Sequence, residues 1–318
     1  MKCAISRAVL GACCALTALA CQPRRIGPPP NAPSVVRPLD AMPADLDLVV
    51  RLDLRRIRET LGELAMTAIS EQAVHGLRGA DKGTDLLLLE ALAGTDTLWL
   101  GIRPTRGLET ADSVFVMSGH FANFDPHRAP STPPFGLPLD LGGNLRRYDR
   151  AHPPARSAPA RIYTHGDDLI VSLSEAEIDS VERSFEEQRG APALEPAEKG
   201  VLSAVARPRV LPPEAFAGSD TLRRLAQHAQ RLELNADLTN AGVDATLALK
   251  FEDAPTAEHV GQALTAVRDS LQSAPGRLAK FAARVKVTNA GQYVSVQLAL
   301  GRDEFSELVN CRGSACTW

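Results

Sequence analysis

Apolar and polar positions alternate in short runs along most of this chain, and each run ends at a turn signal. Asp45-Leu-Asp-Leu-Val-Val-Arg-Leu-Asp-Leu54 reads as a strand, with Asp53 placed to cap a helix in which Ile57, Leu61 and Leu64 recur at helical spacing and Gly62 weakens the last turn. Asp85 to Ala93 is apolar almost all round, which predicts a buried helix ended by Gly94. Residues 97–103 and 113–121 predict two strands, and 161–173 predicts a hairpin turning at Gly166. Ser174-Glu-Ala-Glu177 has the spacing of a capping box, and Ile178, Val181 and Phe185 form the stripe of the helix behind it. In the second half, strands are predicted at 200–206, 231–238 and 242–252. Helices are predicted at 220–230, 256–271, with Val260, Leu264, Val267 and Leu271 on one apolar face, and 303–309, and a hairpin over 284–298.

Two of these stretches match. Arg161-Ile-Tyr-Thr-His-Gly-Asp-Asp-Leu-Ile-Val-Ser-Leu-Ser174 and Arg284-Val-Lys-Val-Thr-Asn-Ala-Gly-Gln-Tyr-Val-Ser-Val-Gln-Leu298 are both two strands around a Gly-containing turn, each followed by a helix. Residues 98–100 correspond to 232–234, and 113–121 to 243–251. The pattern predicts an α+β fold of two similar units, each an antiparallel sheet with helices packed on one face. The units would span 44–188 and 200–318 with a linker at 189–199. Only the first carries a Pro-rich insert, 122–160, expected as a surface excursion with a short strand near 144–148. The functional difference between the units is therefore expected in that insert.

The amino terminus follows a different pattern. Lys2 and Arg7 precede an uncharged apolar stretch, 8–20, that is too short to span a bilayer, and Cys21-Gln-Pro-Arg-Arg25 follows it. This resembles a bacterial lipoprotein signal, and the resemblance implies removal of residues 1–20 and lipidation of Cys21. Leu10-Gly-Ala-Cys13 matches the local pattern too but leaves an apolar region of about five residues. An ordinary cleaved secretory signal is the other reading. Gln22, in place of an Asp at that position, implies the outer membrane. Residues 21–43 carry Pro at 23, 28, 29, 30, 33, 38 and 43, so they are expected to be an extended spacer. The opening strand with its Pro43-Ala-Asp-Leu-Asp47 prelude resembles those of uncharacterised bacterial envelope proteins carrying such units.

Composition narrows the function. The chain has 318 residues, 44% of them hydrophobic but only 4% aromatic, so the core is expected to be aliphatic. Net charge is −3, which argues against nucleic acid as a partner. Cys311 and Cys316 remain after processing, and a disulfide between them is expected in an oxidising compartment.

Chemistry-bearing motifs are sparse. Ser118-Gly-His120 could pair a nucleophile with a base, but same-face neighbours on a strand stand about 7 Å apart, and no nucleophile elbow surrounds them. His165-Gly-Asp-Asp168 could hold a metal, yet the matching turn has Thr288-Asn-Ala-Gly291, so the residues read as turn chemistry. No zinc spacing or phosphate loop occurs, and no cofactor or metal is expected. The expectation is a lipid-anchored, non-catalytic envelope protein that binds or scaffolds a protein partner. The alternatives are a periplasmic carrier of an apolar ligand, or a hydrolase using Ser118 and His120.

Overall fold

In the computed structural model, the structure describes residues 36–62, 82–104, 112–128, 133–152, 159–187, 194–208, 220–239, 241–273 and 277–304. Cys21, Cys311, Cys316 and the predicted helix 303–309 beyond residue 304 lie outside the described residues.

The fold is mixed α+β around one large antiparallel sheet. Its strands are β1 (Leu48–Asp53), β2 (Thr95–Arg103), β3 (Asp112–Gly119), β4 (Leu139–Gly142), β5 (Leu145–Asp149), β6 (Arg161–His165), β7 (Leu169–Leu173), β8 (Leu202–Ala206), β9 (Arg231–Thr239), β10 (Gly242–Lys250), β11 (Val285–Ala290) and β12 (Tyr293–Gly301). The helices are α1 (Leu54–Leu61), α2 (Lys82–Gly94), α3 (Ile178–Glu187), α4 (Asp220–Gln227), α5 (Ala254–Gln272) and α6 (Arg277–Ala282). Strand order is β11-β12-β10-β9-β8-β1-β2-β3-β7-β6-β5-β4.

The expected separate sheets are one. β1 pairs with β8 from Leu48↔Ala206 to Leu52↔Leu202, so hydrogen bonds run unbroken across the predicted boundary. Arg56 meets Asp237 at 2.9 Å and Arg207 meets Asp47 at 3.1 Å, further polar ties between the two halves of the sheet.

Helices on one face was also the wrong expectation for the amino-terminal half. On one face α1 and α2 bury Leu54, Ile57, Leu87, Leu88, Ala91 and Leu92 against Leu98, Met117, Ile162 and Ile170. On the other, α3 and a 3-10 turn at Pro38–Ala41 cover Val49, Trp99, Val114, Val116, Tyr163 and Val171. The reason lies in the strands themselves. β7 is buried at all five positions, so both of its faces need cover.

Local signals held unevenly. The Asp53 carboxylate accepts from the Arg56 N–H at 2.9 Å and that of Asp253 from the Thr256 N–H at 2.7 Å, capping α1 and α5. Gly62 does not sit inside a helix. It ends α1 at φ +82°, donating to the Arg58 carbonyl. The capping box at Ser174 does not form. Ser174 Oγ accepts instead from the Ser113 N–H at 3.1 Å, joining this corner to β3. Leu271, expected on the inward stripe of α5, is exposed.

The insert is not a bare excursion. β4 and β5 extend the sheet beyond β6, anchored by Phe135, Leu145 and Tyr148, all nearly inaccessible. The end of the expected spacer also belongs to the fold, since Val36, Ala41 and Met42 are buried in the core. Pro38 supplies the fixed φ that starts the 3-10 turn there.

Candidate binding face

The carboxy-terminal half of the sheet is one-sided. β9 turns Leu232, Leu234, Ala236 and Leu238 to one face and Arg231, Glu233, Asn235, Asp237 and Thr239 to the other. β10 matches it in register, with Leu249↔Leu232, Leu247↔Leu234, Ala245↔Ala236 and Val243↔Leu238. β12 adds Val294, Val296, Leu298 and Leu300 to the apolar side.

Cross-strand register carries these residues into long rows. One row runs Leu100, Val50, Ala204, Leu234, Leu247, Val296 and Val287 across seven neighbouring strands. A second runs Leu98, Leu52, Leu202, Ala236, Ala245, Leu298 and Val285. Each row is apolar throughout, on the face that also carries α1 and α2.

Among the described residues, helical cover over this face is partial. α4 and α5 seal one corner, where Ala229, Leu249, Phe251, Ala257, Val260 and Val294 are buried together, with Leu225, Leu232, Leu264 and Val287 packed at the margin. Beyond that corner Leu234, Leu247, Val296 and Leu298 are only half-buried. So are Val50, Leu100, Leu48 and Ile102 in the middle of the sheet. Leu247 and Leu249 point to the same face of β10, yet one is sealed and the other is not. An apolar surface that continues past its cover favours contact with another apolar surface or ligand.

Ser118 and His120 stand in different settings. Ser118 is half-buried on β3, whereas His120 is exposed past the strand end, its backbone N–H donating to the Gly94 carbonyl at 2.9 Å. The His165 to Asp168 segment is a turn, with Gly166 at φ +54°. Its counterpart Gly291 has φ +58°, so the two turns share the left-handed conformation that glycine adopts without strain. Backbone bonds use the first turn as an anchor: the Asp167 carbonyl accepts from the Phe121 N–H at 2.7 Å, and the Asp168 carbonyl from the Gly119 N–H at 3.1 Å. Among the described residues no group of three His, Cys, Asp or Glu stands close enough to hold a metal ion.

Two part-buried polar clusters escaped sequence reasoning. Arg103, at the end of β2, donates to the Asp45 carboxylate, to the Asp45 carbonyl at 3.0 Å and to Glu177 Oε1 at 2.6 Å. Glu177 is 1% exposed, and among the described residues its Oε2 has no hydrogen-bond partner. Burial raises its pKa, opposed by the Arg103 hydrogen bond, while that same arginine lowers the pKa of Asp45. On the same face, the Tyr163 hydroxyl donates to Glu182 at 2.8 Å, and Arg161 bonds both Glu182 and the Tyr163 oxygen. Burial raises the Tyr163 pKa. Both clusters tie α3 and the segment preceding it to the sheet, a holding role. No local motif marks them, because their bonded partners are 19 to 74 residues apart, except for the Arg161–Tyr163 pair.

No family model matches this chain, and no curated protein sequence does. Solved structures do. TP0453 in crystal form III superposes with a TM-score of 0.51 at 9% identity, covering 87% of this chain and 98% of that one. Crystal form IV gives 0.49 at 10% identity with coverage of 87% and 97%, and crystal form I gives 0.48 at 8% with 86% and 97%. The form III likeness, at this identity, is one of fold alone. Among the described residues no helix is long and apolar enough to cross a membrane.

Proposed function

We propose that this chain is a non-catalytic binding module of the bacterial cell envelope, lipidated at Cys21 and held at the outer membrane facing the periplasm or cell surface. The observation that carries the binding role is the apolar face of β8, β9, β10 and β12, which runs on half-buried past the cover of α4 and α5. In this reading the Pro-rich residues 22–35 are the tether, and the partner is an envelope protein. No nucleic acid or cofactor is involved, and a disulfide joins Cys311 to Cys316.

The module is built from two similar units. Supporting this, the order β1-β2-β3-β7-β6 on one side of the β1–β8 seam recurs as β8-β9-β10-β12-β11 on the other. The insert that adds β4 and β5 then stands where the second unit has α5 and α6.

A photocrosslinking residue at Leu247, in intact envelopes, tests the reading. Adducts at Leu247 and none at Thr246, which faces the opposite side of β10, are expected. Equal labelling at both positions, or none at Leu247, overturns it. Incorporation of labelled palmitate into the wild type but not into Cys21→Ser tests the anchor separately.

A second reading of the same half-buried apolar rows is carriage of an apolar ligand. Mass spectrometry of the protein purified without detergent distinguishes them. A stoichiometric apolar small molecule, lost in Leu234→Gln/Leu247→Gln, would replace the protein partner by a carried ligand.

A further inference from the structure

The sheet is open, and its two ends are built differently. β4, at one end, is four residues long and follows Pro138. Its pairing with β5 shifts register between Asp140 and Gly142, and the Gly142 N–H donates to Asp140 Oδ1 at 2.8 Å. Short length, a bulge and a flanking proline are how sheet edges are blunted against further pairing. β11, at the other end, pairs with β12 without interruption from Val285↔Leu298 to Ala290↔Tyr293, and it contains no proline.

The strand order adds a second observation. β6 holds the place in the first half that β11 holds in the second. The outer edge of β6 accepts a complete antiparallel strand, β5, from Leu145↔His165 to Asp149↔Arg161. At the corresponding edge of β11 no strand is paired among the described residues. An edge of this kind is therefore competent for strand addition and is used once within the chain itself.

We propose that β11 pairs antiparallel with β11 of a second copy of this chain, about a two-fold axis at Val287. The strand is complementary to itself in that register. Lys286 stands opposite the second copy's Thr288, Val285 opposite Asn289, and Val287 opposite its own equivalent, so no like charges meet. A two-fold axis perpendicular to the sheet keeps the faces matched, so Val287 continues its apolar row into the second copy. The chain already joins its own halves by antiparallel pairing of β1 with β8. With the β4 edge blunted, association closes at two copies instead of propagating into fibres. This inference rests on the strand order and is independent of what the apolar face binds.

Sedimentation velocity of the full protein across a concentration series tests it, with Lys286 and Thr288 as handles because both are exposed. A concentration-dependent dimer is expected. Thr288→Lys sets two lysine pairs face to face per dimer and should weaken association about tenfold, Thr288→Glu should strengthen it by a similar factor, and Lys286→Glu/Thr288→Lys should restore it. A wild type that stays a single copy throughout overturns the proposal. So does a dimer that Thr288→Lys and Thr288→Glu shift in the same direction or leave unchanged.

Discussion

Leu247 and Leu249 differ only in what lies over them, and that makes them the most direct test of where the core ends. Both project from β10 to the apolar face. Leu249 is 4% exposed beneath α4 and α5, with Val260, Phe251 and Val294 around it. Truncation to Ala removes about three methylene equivalents, worth about 0.8 kcal/mol each, and leaves a cavity that packed neighbours cannot fill. Leu249→Ala should therefore cost about 3–4 kcal/mol. Leu247 is half-buried, so less transfer energy is lost and solvent or a neighbour occupies the space, giving about 1 kcal/mol. Urea unfolding followed by fluorescence reads the difference, since Trp99 is buried in the amino-terminal core. With a slope of about 3 kcal/mol per molar urea, the midpoints of the two variants should differ by roughly 0.7–1 M. Equal losses would mean that Leu247 is as sealed as Leu249, and the face would then be ordinary core with no binding role.

The remaining expectations concern the polar clusters and one cap. Glu177 has its folded pKa raised by burial, so the folded chain binds that proton more tightly than the unfolded chain. Its contribution to stability is full below the ordinary carboxylate value of 4.5 and is lost as pH rises through the raised folded value. Unfolding midpoints of Glu177→Gln should therefore lack that part of the wild-type decline, and identical pH profiles would remove the assignment. Tyr163→Phe should cost about 1–2 kcal/mol in the same urea assay by deleting the 2.8 Å bond to Glu182, while Arg161 still pairs with that carboxylate. Asp253→Ala should cost about 1 kcal/mol by uncapping α5, and Asp253→Asn should recover most of it. An alanine variant as stable as the wild type would show that the cap contributes nothing.

Strands, turns and caps were legible in the sequence because they depend on neighbours two to four positions away. The alternation in 231–238 and 242–252, the glycines at 166 and 291, and the cap Asp53 are all where local chemistry placed them. The failures share a cause. Ser174 has the spacing of a capping box, but the Ser113 N–H from a distant strand takes its hydroxyl. The insert carries many prolines and few apolar residues, yet Phe135 and Tyr148 find a core built by other segments and hold β4 and β5 to the sheet. One-sided helix packing failed because periodicity shows that a strand such as 169–173 is buried, not how many layers bury it.

The sequence by itself determined which residues lie on which face of each strand, since side-chain direction alternates with a period of two. It also placed the turns, where only a few residue types tolerate the backbone. Only the tertiary structure decided how those faces combine. Register between strands far apart in the chain set Val50, Leu234 and Leu247 in one row, and the placement of α4 and α5 left part of that row half-buried. Pairing of β1 with β8 turned two expected sheets into one, and left β4 and β11 as its edges. Burial and cross-strand pairing are sums over contacts among residues up to some 150 positions apart, as in Val50 and Ala204, and no local pattern specifies them.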